Sequence, residues 1–77
     1  MAEKESSFGE RAVGLSFNPS NNDDVNSLKQ LAAAFIQVCH DFKNIADDPE
    51  VKRMYSVAIT EAQTAQMWAV KAATWKG

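Results

Sequence analysis

The sequence predicts an all-α protein: an antiparallel helical hairpin of two long helices with an irregular N-terminal segment, assembled as an oligomer. Three observations carry this. Apolar residues recur at steps of three and four from Val25 to Ala46. An Asp48-Pro49-Glu50 break follows, after which neither proline nor glycine occurs before Gly77. Finally, the chain has 77 residues and one cysteine, so it is small and has no internal disulfide.

Residues 1–20 form the irregular N-terminal segment. They mix charge, serine and glycine, with Gly9, Gly14 and Pro19 as breakers, and residues 1–12 have the composition of a frayed terminus. Ala12-Val13-Gly14-Leu15-Ser16-Phe17 is too short and too glycine-broken for a strand. Asn18-Pro19-Ser20-Asn21-Asn22 is turn chemistry, since asparagine tolerates left-handed backbone and proline fixes its own φ.

The hairpin domain spans 21–77. Asp23 and Asp24 place negative charge where a helix dipole is positive. Val25, Leu28, Leu31, Ala32, Phe35, Ile36, Cys39, Phe42, Ile45 and Ala46 then make one apolar stripe. Lys29, Gln37, Asp41, Lys43 and Asn44 occupy most of the other side. The spacing predicts a helix over 23–46, roughly 35 Å long.

Asp48 reads as the N-cap of the next helix, Pro49 as its first residue and Glu50 as a first-turn acid. That helix is predicted over 49–75, and the short link makes the pair antiparallel. Its apolar residues occupy more than one face. Met54, Ala58, Ala62, Ala65, Ala69 and Ala72 form one row, while Tyr55, Ile59, Met67, Trp68 and Val70 lie off it. One partner helix cannot cover both, so self-association or another protein is expected.

Composition excludes several functions. Ten acidic and eight basic residues give a net charge of -2, unsuited to wrapping a nucleic-acid duplex. An apolar fraction of 45% is too high for a disordered segment. No apolar run approaches a membrane span, and the polar start MAEKESS does not read as a signal peptide. One cysteine suits a reducing, intracellular compartment. Cys39 and His40 are the only soft metal ligands and are adjacent, so zinc is nearly excluded and no cofactor is expected. Cys39 reads as a buried thiol and His40 as a partly exposed side chain. Asp47, Asp48 and Glu50 could suggest magnesium, but helix capping accounts for them.

No catalytic constellation is visible. Two groups could bind anions. Arg53, Ser56 and Thr60, with Gln63 and Thr64 beyond, align a guanidinium, hydroxyls and an amide on one helical face suited to phosphate oxygens. A solvated polar face is the plainer account of the same spacing. Lys29 beside Phe17-Asn18 could clamp a phosphate while the ring stacks on a base. The plainer account there is a solvated lysine and a ring folded over the hairpin end. Trp68 and Trp75, seven apart, share a face and could stack on bases, though packing at an interface is their commoner use.

Arg53-Met54-Tyr55-Ser56-Val57-Ala58-Ile59-Thr60-Glu61-Ala62, then Ala65-Gln66-Met67-Trp68-Ala69-Val70-Lys71-Ala72, resembles the second helix of the hairpin shared by phage anti-CBASS and anti-Thoeris sponge proteins. Phe17-Asn18-Pro19-Ser20 followed by a helix containing Lys29 is similar to what precedes that hairpin in some members. The resemblance covers about residues 13–75 and is most specific at MWAVKA with the upstream arginine, serine and threonine.

That resemblance implies a non-enzymatic protein acting in the cytoplasm of the infected bacterial host. It would sequester cyclic oligonucleotide immune messengers as a homo-oligomer, a hexamer, with pockets between protomers. Arg53, Thr60 and Ser56 would belong to a cyclic trinucleotide site. Phe17, Asn18 and Lys29 would belong to a cyclic dinucleotide site, with Phe8 as the alternative ring. Glycocyclic ADP-ribose, the ligand of anti-Thoeris relatives, would share the second pocket; the shorter N-terminal region here weighs against it. The competing reading is a helical-hairpin protein–protein interaction module without a nucleotide ligand. A phosphodiesterase fits least, because its clustered histidines and aspartates or paired histidines are missing.

Overall fold

A computed structural model describes residues 6–18 and 22–77. Three helices follow in order: α1 (Phe8–Val13), α2 (Asp23–Ile45) and α3 (Pro49–Ala73). The two long helices pack as the expected hairpin, and both fall within two residues of their predicted bounds.

Local chemistry sets the helix ends. The Asn22 side chain accepts from the Asp24 and Val25 N–H groups at the start of α2, and two acids fill its first turn. Asp48 caps α3 by accepting from the Glu50 N–H at 2.9 Å, with Pro49 as its first residue. The acids Asp48 and Glu50 are thus accounted for within the helix start. At the C-terminus, the Thr74 N–H bonds back to the Val70 carbonyl.

The N-terminal segment, expected to be irregular, contains α1. Ser7 accepts from the Glu10 N–H at 3.1 Å while the Glu10 carboxylate accepts from the Ser7 N–H at 2.8 Å, a reciprocal capping box. Gly14 ends the helix at φ 61°, a left-handed conformation that glycine adopts without strain.

Six residues cannot sustain a helix alone, so tertiary contacts hold α1 in place. Gly9 N–H donates to Gln37 Oε1 at 2.9 Å, and Gln63 Nε2 donates to the Ala12 carbonyl at 3.1 Å. Phe8 stacks face to face on His40, with ring centroids 4.0 Å apart. Gly9 is essential to the approach, because a Cβ there would stand 2.1 Å from the Ala33 carbonyl oxygen. Asn18 bridges both backbone polar groups of Asn22; Pro19, Ser20 and Asn21, the middle of the expected turn, lie outside the described residues.

The core is small: Val13, Ala33, Ile36, Cys39 and Ile59 are buried, flanked by Phe8, Ala12, Leu15, Tyr55, Ala58 and Ala62. Buried Cys39 and half-buried His40 lie as the sequence predicts. The stripe on α2 divides. Val25, Ile36 and Cys39 point inward, whereas Leu31, Phe35, Phe42 and Ile45 remain exposed. On α3 the buried positions are Ile59 and Gln66; of the alanine row, Ala58 and Ala62 pack against the core while Met54 is exposed.

The Cα atoms extend 45 × 40 × 12 Å. Two stacked layers of helices would span about 13–15 Å between Cα atoms, more than the shortest extent. The fold is therefore a single layer of helices, where stable domains ordinarily pack two.

Candidate functional site

The side of α3 turned away from its buried Ile59 and Gln66 carries Arg53, Val57, Thr60, Thr64, Trp68 and Lys71, all exposed, and exposed Trp75 follows just beyond the helix end. Steps of three and four keep these residues on one face. Ser56 lies at its margin and is half-buried.

The three residues of the predicted row are each engaged within the helix. Arg53 pairs with Glu50, its Nε donating to both carboxylate oxygens at 3.0 and 3.2 Å. Both side chains are exposed. The guanidinium's hydrogen bonds hold the Glu50 carboxyl below its ordinary range against a weaker opposing effect of burial. The carboxylate reciprocally holds the Arg53 guanidinium above its ordinary value. Ser56 Oγ donates to the Lys52 carbonyl at 3.1 Å, and Thr60 Oγ1 to the Ser56 carbonyl at 3.2 Å. Thr64 continues the ladder onto Thr60. A hydroxyl that donates to its own helix keeps its lone pairs facing outward.

Phe17, Asn18 and Lys29, from two segments of chain, are brought together. Lys29 is only 5% exposed, although the α2 pattern placed it on the polar side. Its ammonium donates to the Gly14 carbonyl at 3.0 Å and also to the Phe17 carbonyl, and lies 5.4 Å from the Phe17 ring centroid. The solvated lysine of the plainer account is therefore corrected. Its long stem runs inward to tie down the turn after α1. Phe17 itself is 71% exposed, with its ring outward.

Gln37 and Gln63 position α1, a role the sequence reading did not give them. Each bonds across a sequence gap, 28 residues for Gln37 and 51 for Gln63, which no local pattern reveals. Gln63 was grouped with the Arg53 row, but it turns to the Ala12 carbonyl instead. Among the described residues, no group of three or more histidines, cysteines or acids is placed to hold a metal ion. Also among them, no helix is long and apolar enough to cross a membrane.

The family model described as Acb2/Tad1, hairpin domain, matches residues 10–74. No curated protein and no solved structure matches the chain.

Proposed function

Because the chain belongs to the Acb2/Tad1 hairpin family, whose members are phage anti-defence proteins that bind cyclic nucleotides as sponges rather than enzymes, we propose that it sequesters cyclic dinucleotides and cyclic trinucleotides without degrading them. The single observation that best supports this reading is the exposed face of α3. It offers a guanidinium with outward hydroxyl lone pairs beside it, on a rigid helix that needs no ordering on binding.

Arg53, Ser56 and Thr60 bind the trinucleotide. The guanidinium exchanges Glu50 for a phosphate, and the hydroxyls accept from ribose or base groups. Phe17, Asn18 and Lys29 bind the dinucleotide, with the Phe17 ring on a base. Two of the three Lys29 donors are spent on carbonyls, leaving one for a phosphate at the edge of the turn.

A one-layer protomer with Leu31, Phe35, Phe42 and Ile45 exposed favours assembly with further copies, a hexamer by analogy with the family, and the pockets lie between protomers. Sequestration requires tight binding and an intact ligand. The site of action is the cytoplasm of the infected bacterial host. Glycocyclic ADP-ribose is a third candidate ligand for the Phe17 site. The same apolar strip also favours a second reading, in which a foreign protein covers it and no nucleotide binds.

Arg53→Ala tests the assignment. It is expected to weaken trinucleotide binding while leaving the assembly mass and the dinucleotide affinity unchanged. Unaltered trinucleotide affinity would remove Arg53 from the site.

A further inference from the structure

One cluster takes no part in the binding scheme above. Toward the C-terminal end of α3, Lys71 lies between two indoles, its ammonium 5.1 Å from the Trp68 ring centroid and 5.8 Å from that of Trp75. Both tryptophans are about two-thirds exposed. A cleft of about 440 Å³ is formed by these three side chains and Ala72. A second, of about 250 Å³, shares Trp68 and Lys71 and reaches Thr64. The larger is within the size range of small-molecule sites. Among the described residues, no carboxylate pairs with the Lys71 ammonium.

Charge decides what suits this cluster. An apolar partner would bury an uncompensated ammonium, which is strongly unfavourable. A planar anion would satisfy both features, since an indole stacks on a base without regard to its sequence and a lysine pairs with phosphate as a point charge. Lys71 is also 18 residues, or five helical turns, after Arg53, so the two cations point the same way about 27 Å apart, with Thr60 and Thr64 between them.

We propose that Trp68, Lys71 and Trp75 form a nucleotide subsite, in which an indole stacks on a purine base and the Lys71 ammonium pairs with its phosphate. This deepens the reading above and rests on it, since the ligand class is the same and the site continues the same face of α3.

The sequence has two tryptophans, both in this cluster, so emission excited at wavelengths where Tyr55 does not absorb reports on it alone. The assembled full chain is titrated with adenosine 5′-monophosphate and with cyclic diadenylate, in parallel with calorimetry. Saturable quenching by both is expected. Lys71→Met should weaken it on the order of tenfold, from loss of a charge-assisted contact. Trp75→Leu should abolish most of the quenching while leaving the helical circular dichroism unchanged, because its ring is exposed. Heat of cyclic diadenylate binding without quenching would overturn the subsite and leave the sequestration reading standing. Quenching that survives Lys71→Met unchanged would also overturn it. So would emission that follows protein dilution rather than nucleotide, because the indoles would then be covered by another copy. Neither heat nor quenching with any cyclic nucleotide would defeat both readings.

Discussion

The ammonium of Lys29 donates to the carbonyl oxygen of Phe17 and lies 5.4 Å from the centre of the same residue's ring, so one buried cation fixes both the backbone and the side chain of the turn after α1. The Gly14 carbonyl takes a second donor of the same ammonium. Lys29 is thus a structural anchor as well as a candidate ligand, and the two roles separate by substitution.

Lys29→Met keeps most of the buried stem and removes the donors. Two carbonyls lose a charged partner, so unfolding free energy should fall by about 1–3 kcal/mol. Urea denaturation measures this. Dinucleotide affinity should fall in the same variant while trinucleotide affinity stays unchanged, since Arg53 lies on a different helix.

Gly9→Ala should detach α1. The added Cβ meets backbone at Ala33, which cannot swing aside as a side chain would. The expected cost is about 1–3 kcal/mol. Faster amide exchange over residues 8–13, with protection in α3 retained, would locate the damage.

Glu50 competes with any anion for the Arg53 fork. Glu50→Gln should therefore tighten trinucleotide binding a few-fold at most, because an exposed ion pair is weak. Acid should act similarly. The carboxyl titrates below its ordinary 4.5, so the pair persists above that value and is lost as pH falls through the lowered one. Calorimetry in high salt should narrow the difference between wild type and variant, as screening weakens the pair.

Ile45 is 76% exposed on the apolar strip of α2. Ile45→Glu should lower the assembly mass measured by sedimentation while leaving helix content intact. An unchanged mass would place the contacts between copies elsewhere.

The hairpin was legible because its signals are local. Asp48-Pro49-Glu50 marks a helix start within three residues, and the α2 stripe repeats for six turns. The helix α1 was missed, although Ser7 and Glu10 stand at capping-box spacing. That motif becomes informative only once Gly9 can dock on Ala33, which depends on folding of the hairpin. Lys29 shows the same limit. Its place in the helical pattern is polar, and its burial follows from carbonyls 12 and 15 residues upstream. The Arg53-Ser56-Thr60 alignment was readable from spacing, but the competing Glu50 contact was not drawn from it. Lys71 stands three residues after Trp68 and four before Trp75, a spacing that could have revealed the indole–ammonium cluster.

The central claim is stoichiometric capture of an intact messenger. Isothermal titration of the purified protein, at known assembly mass, with a cyclic dinucleotide and a cyclic trinucleotide tests it most directly. The account predicts tight binding at fewer sites than protomers for the trinucleotide, with both ligands recovered intact after heat denaturation. No heat with either ligand from a stable assembly, or recovery of linear or cleaved products, would contradict it.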